Sequence, residues 1–82
     1  MRVSVIIPTH NEAQAIARVL ADLPSDLITE VIVVDSNSND GTPEIAARMG
    51  ARIIHESRRG YGRACLTGLS TANSPEIGRA HV

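Results

Sequence analysis

The apolar residues of this chain fall into two alternating spacings. In "VSVIIPTHNE", Val3, Val5, Ile6 and Ile7 follow Arg2 and predict a buried strand over residues 3–7 that stops at Pro8. Ile16, Val19, Leu20 and Leu23 then recur at i, i+3, i+4 and i+7, the stripe of a half-buried helix over about residues 12–23. Pro24 and Ser25 close it. In "EVIVVD", residues 30–35, the run Val31, Ile32, Val33, Val34 has no polar interruption, as in a strand covered on both faces. The turn-rich "SNSNDG" follows. A second helix opens at "TPE": Thr42 suits the N-cap, Pro43 the first helical position, and Glu44 the first turn, where the helix dipole favours an acid. Gly50 after Met49 suits the C-terminal cap. A third strand is predicted over residues 51–56, then a loop "SRRGYG". A third helix is predicted over about 63–72, with Cys65 and Leu69 on one face.

Strands alternating with helices imply parallel pairing through right-handed crossovers. The expected fold is therefore α/β: half of a doubly wound, three-layer Rossmann-like domain, with sheet order 3-2-1 and helices on both faces. In such a sheet all strands point their carboxyl ends to one edge, and ligands bind there. Three polar loops converge on that edge: "PTHNE", "DSNSNDG" and "ESRRGYG".

Composition narrows the functional classes. Eighty-two residues suffice for one small domain. With no Phe, no Trp and one Tyr, the core must be aliphatic. A net charge of −1 gives no electrostatic case for nucleic acid or an anionic membrane, and Arg58, Arg59 and Arg63 are the one local basic cluster. The single cysteine, Cys65, cannot make an internal disulfide, which points to a reducing, cytoplasmic setting. No secretory leader is expected before the first strand, and no apolar run is long enough to span a bilayer. The last stretch, residues 76–82, has neither strand nor helix period. "EIGRAHV" is what one reading frame of a common sequencing adapter gives when translated. We therefore divide the chain into residues 1–75, the α/β part, and 76–82, read as a non-native tail, with a genuine polar C-terminal loop as the alternative.

Each loop also carries an ordinary structural reading. Asn11 suits a cap of the first helix, with Glu12 near its dipole. The backbone amides where Glu12 opens that helix are also suited to polar ligand groups. Asp35 suits a strand-ending turn. Asp40, Gly41 and Thr42 read mostly as turn and cap residues, and Arg58 and Arg59 as a solvated pair. His10, His55, His81 and Cys65 lack metal-ligand spacing. "GYGRAC" fails as a dinucleotide fingerprint, because its glycines follow the third strand rather than the first and the third glycine is missing.

"VSVIIPTHNE", "EVIVVDSNSNDGT" and "RRGYGRACLTGL", in this order, resemble the N-terminal part of family-2 glycosyltransferases with the A-type nucleotide-sugar fold. The dolichol-phosphate mannosyltransferase and glucosyl-phosphoglycerate synthase branches are the most similar. The resemblance implies that Pro8, Thr9, His10, Asn11 and Glu12 lie along the donor nucleotide, and that Asp35 and Ser36 occupy the pair of positions reaching base and ribose. Many members have two aspartates there; Ser36 in place of the second leaves the choice of base open. A family lysine between two glycines is replaced by Tyr61, with Arg59 or Arg63 as substitutes. The implied partner is a nucleotide-diphosphate sugar, with a polyprenyl phosphate or a small phosphorylated acid as acceptor. No catalytic or metal-binding residue is assigned in this chain: the Asp-x-Asp motif holding Mg²⁺ or Mn²⁺ would end a fourth strand, before which the fragment is expected to be truncated. For the full protein the resemblance leaves room for attachment at the inner membrane face. The competing expectation is a stand-alone nucleotide-binding or interaction module without catalysis.

Overall fold

The computed structural model describes residues 3–24, 26, 28–57 and, for the main chain, 76–79. The elements run β1 (Val3–Thr9), α1 (Ala13–Asp22), β2 (Ile28–Asp35), α2 (Thr42–Arg48), β3 (Arg52–His55) and β4 (Glu76–Arg79). All pairings are parallel, in the order β3-β2-β1-β4. The expected order of the first three strands and their α/β crossovers are therefore present. The third helix expected over 63–72, with Cys65 and the arginines Arg58, Arg59 and Arg63, lies outside the described residues.

The sheet is sandwiched between two apolar clusters. On one face Val5, Ile7, Ile16, Val33 and Ala46 are buried together, and Val19, Leu20, Leu23 and Ile45 of the two helices pack against them. Both described helices thus lie on this face, because successive right-handed crossovers moving the same way across a sheet stay on one side. On the other face Ile6, Ile32 and Val34 are fully buried, with Ile54 against them. The unbroken apolar run of β2 is explained by this two-sided burial. Burying each such side chain contributes about 1.5–3 kcal/mol.

Boundaries differ from expectation in instructive ways. β1 does not stop at Pro8 but continues through Thr9, opposite Val34 and Asp35. The pairing of β4 with β1 ends at Ile6, so the missing N–H of Pro8 interrupts nothing on that side. The N-cap of α2 is Gly41, at φ 92°, not Thr42, and Pro43 is consequently its second residue. Thr42 is drawn away from capping because its hydroxyl serves Asp40 and Glu12 instead. Gly50, also at φ 92°, follows α2 in a Schellman closure, with Ala51 N bonded to Ala46 O and Gly50 N to Ala47 O.

Truncation before a fourth strand would leave the β1 edge bare, but β4 covers it. Glu76–Arg79 lies along that edge, pairing with Val3 to Ile6. Such pairing is made by main-chain groups and is indifferent to the side chains that the segment carries.

Candidate functional site

β1 and β2 end level with each other, which places Thr9 opposite Asp35 at the carboxyl edge, with His55 next in line on β3. The ladder continues one step beyond the strands, through Ser36 N to Thr9 O and Glu56 N to Asp35 O, both 2.9 Å. Two loops therefore leave the sheet side by side, and their polar side chains meet.

Asp35 organises the meeting. Its carboxylate is 1% exposed and accepts hydrogen bonds from Thr9 Oγ1 (2.7 Å), Ser38 Oγ (2.6 Å) and Ser38 N (3.0 Å). Ser38 Oγ in turn accepts from Asn11 N at 2.8 Å, and Asn11 Oδ1 accepts from Asn39 N at 2.9 Å. Asn11 reaches this position at φ 54°, a left-handed conformation that asparagine tolerates better than most residues. His10 Nδ1 bonds the Ser36 carbonyl oxygen, which can only accept, so the imidazole carries its proton on Nδ1 there.

A second relay repeats the design one step along. Thr42 Oγ1 donates to Asp40 Oδ1 at 2.5 Å and accepts from Glu12 N at 2.9 Å. Asp40 Oδ2 accepts from Ala13 N at 3.0 Å and Oδ1 from Thr42 N at 3.1 Å. The Thr42 hydroxyl, followed by the N–H groups of Ala13 and Thr42, holds the Asp40 carboxyl below its ordinary value of 3.8. Hydrogen bonds at each of Thr9, His10, Asn11, Glu12 and Ala13 thus join the first loop to residues 35–42.

The candidate residues are thus brought together, but not all toward solvent. Pro8, Thr9, Asp35 and Ser36 are buried, His10 and Glu12 half-buried, and Asn11 exposed. Asn11 does not cap α1: its side chain crosses to Asn39, and Glu12 occupies the N-cap position without a side-chain cap bond. The amides of Glu12 and Ala13, read as open to ligand groups, are taken by Thr42 and Asp40. An open cleft of about 570 Å³ lies against this wall, lined by Asn11, Glu12, Ala13, Gln14, Ala15 and Asp40. Ser38 and Asn39 were read only as part of a turn-rich polar loop, and Asp40 and Thr42 only within their own turn. Among the described residues no group of three or more His, Cys, Asp or Glu gathers to hold a metal ion. None of their helices is long and apolar enough to cross a membrane.

The model of the family described as "Glycosyl transferase family 2" matches residues 4–79. The chain belongs to glycosyltransferase family 2. The family-2 chain is 43% identical over 76 residues to a dolichyl-phosphate hexose transferase of Haloferax volcanii, covering 90% of this chain and 33% of that protein. It is 41% identical over 75 residues to an uncharacterized glycosyltransferase of Mycobacterium tuberculosis, covering 92% of this chain and 34% of that one. Among solved structures it resembles glucosyl-3-phosphoglycerate synthase of Mycobacterium tuberculosis, crystallised with Mn²⁺, uridine diphosphate and glucosyl-3-phosphoglycerate. The TM-score is 0.86 at 28% identity, over 98% of this chain and 33% of that one. The family-2 chain therefore spans about a third of the length of these relatives.

Proposed function

We propose that this chain forms the donor-nucleoside half of a nucleotide-sugar-dependent glycosyltransferase. The observation that carries the reading is the cross-linking of the β1–α1 and β2–α2 loops into one wall beside the cleft at the carboxyl edge. A parallel sheet keeps its ligand site at that edge. In this reading His10 and Glu12 meet the nucleoside, Ser36 supplies a hydroxyl that donates or accepts toward the base, and Thr9 and Asp35 hold those groups in place from below. Pro8, with its fixed φ, sets the direction in which β1 delivers the loop.

The reaction of the whole protein would move a glycosyl group from its diphosphate to an acceptor. The Haloferax relative is named for a dolichyl phosphate acceptor, and the mycobacterial synthase was also crystallised with phosphoglyceric acid and UDP-glucose. These support a polyprenyl phosphate or a small phosphorylated acid as acceptor class. That synthase was crystallised in complex with UDP and either Mn²⁺ or Mg²⁺, a metal that would neutralise a diphosphate leaving group. The described residues do not fit a metal: the Asp35 and Asp40 carboxylates are already engaged by N–H and O–H donors. We assign this chain to binding, without turnover by itself, and to the cytoplasm.

The test is a titration of the folded chain with uridine and guanosine diphosphates, followed by calorimetry and by amide chemical shifts. The expected result is saturable binding of one of them, with shifts at residues 10–12 and 36 and no sugar release from nucleotide sugars with Mn²⁺. Absence of binding to any nucleoside diphosphate at millimolar concentration would overturn the assignment. Metal-dependent turnover by the chain alone would overturn the division of labour.

A further inference from the structure

We propose that Asp40 and Thr42 are positioning residues for the nucleotide site, fixing the main chain of residues 11–13 from across the β2–α2 loop rather than merely capping their own helix. The proposal rests on the functional reading above for what the site binds, but its geometry stands on other observations.

Thr42 is fully buried. Its hydroxyl has one proton to give and lone pairs to receive with. The proton goes to Asp40 Oδ1 and a lone pair takes the N–H of Glu12. Asp40 then uses its second oxygen on Ala13 N, the first residue of α1. The cap of α1 is thus supplied from a segment 27 to 30 residues away, while Glu12 at the N-cap makes no side-chain cap bond of its own. Helix starts are normally capped by the local Ser, Thr, Asp or Asn. Here the local candidate, Asn11, is turned outward at φ 54° and spent on Asn39.

The consequence concerns Glu12. A side chain presented to a ligand is only as well placed as its Cα. The Cα of Glu12 is held between two amides, its own and that of Ala13, and both are fixed by this relay. Asp40 also lines the same cleft as Glu12. Loss of the relay leaves the strand register intact, because Thr9 and Asp35 are joined independently, and lets the loop that carries Glu12 drift.

Three variants of the chain test this: Thr42→Val, which keeps the shape and removes the hydroxyl; Thr42→Ser, which keeps the hydroxyl; and Asp40→Asn. Two readouts are taken on folded protein, well below the melt. The first is hydrogen exchange and chemical shift of the Glu12 and Ala13 amides, which needs no ligand. The second is uridine and guanosine diphosphate affinity. Thr42→Val and Asp40→Asn are expected to speed exchange at both amides and to weaken binding at least about fivefold, the factor one net hydrogen bond carries. Thr42→Ser is expected to restore both. If the amides of Glu12 and Ala13 keep wild-type exchange in Thr42→Val, the proposal is overturned whatever the nucleotide does. If exchange rises and affinity in a binding-competent chain does not change, the relay is structural only and the positioning role is overturned. Failure of the wild type to bind any nucleotide refutes the functional reading instead, and the exchange result still decides whether the relay exists.

Discussion

Replacing Asp35 by alanine is expected to cost this small domain a large part of its stability. The residue is 1% exposed, and three hydrogen bonds end on its carboxylate. The most serious loss is at Thr9, itself 3% exposed, whose hydroxyl would be left buried without its acceptor, a penalty of about 1–3 kcal/mol. Ser38 is half-buried, so water can partly replace the carboxylate for its hydroxyl and N–H. Its contribution belongs at the low end, about 0.5–1.5 kcal/mol for each bond. The sum is about 3 kcal/mol, against a total stability of about 4–12 kcal/mol for a chain of this length. Urea unfolding followed by circular dichroism reads this directly. With a slope of about 1–1.5 kcal/mol/M the midpoint should fall by about 2–3 M. Asp35→Asn should lose most of the same amount, because an amide of the same shape can no longer receive donors on both sides. Arg18→Ala, exposed on α1, should stay within about 0.5 kcal/mol as a control. An Asp35→Ala chain within about 1 kcal/mol of wild type, with unchanged slope, would refute the reading of Asp35 as the centre of a buried network.

Gly41→Ala and Gly50→Ala should each destabilise by about 1–2 kcal/mol in a thermal melt, since both glycines sit at φ 92°. The added Cβ meets nothing nearer than Glu44 Oε1 at 4.0 Å in the first case and nothing within 4 Å in the second. A clash is therefore not the cause, and unchanged melting in both would refute the backbone argument. For Asp40 the folded-state pKa is depressed, so its contribution is fully present above the ordinary value of 3.8 and is lost as pH falls through the lowered folded value. The stability gap between wild type and Asp40→Asn should therefore be constant near neutrality and close as the solution is acidified below that value. A gap that persists unchanged to about pH 2 would show that ionisation of Asp40 contributes nothing.

What the sequence disclosed and what it hid separate along a physical line. The stripe of Ile16, Val19, Leu20 and Leu23, the uninterrupted β-branched run of β2 and the glycine after Met49 are local signals, and each produced its element within a residue or two. The carboxyl edge was legible for the same reason, because alternating elements with short connections allow few topologies. The partners across that edge were not legible. Asn11 with Ser38, and Glu12 with Thr42, are separated by 27 and 30 positions, and "SNSNDGT" satisfies every rule for an isolated turn without them. Thr9 and Asp35 were picked out as polar residues at the right place, but their inward orientation depends on the level ending of β1 and β2. The fourth strand was missed because main-chain pairing leaves no mark in side-chain periodicity.

The fully apolar interior of β2 creates a problem of alignment that apolar packing alone does not solve. A strand with polar and apolar residues in alternation resists sliding, since a one-residue slip turns its core face to water. Val31, Ile32, Val33 and Val34 offer no such resistance. A slip of two residues against β1 would even preserve which side chains point to each face. It would also carry Thr9 about 6.6 Å along, opposite Val33 rather than Asp35. Asp35 would then lie level with Asn11, beyond the end of β1 and without the Thr9 hydroxyl, and the Ser38 and Thr42 hydroxyls would lose their amides. The polar loops that build the candidate site therefore also act as the proofreader of the fold: a chain that has aligned its strands wrongly cannot close them.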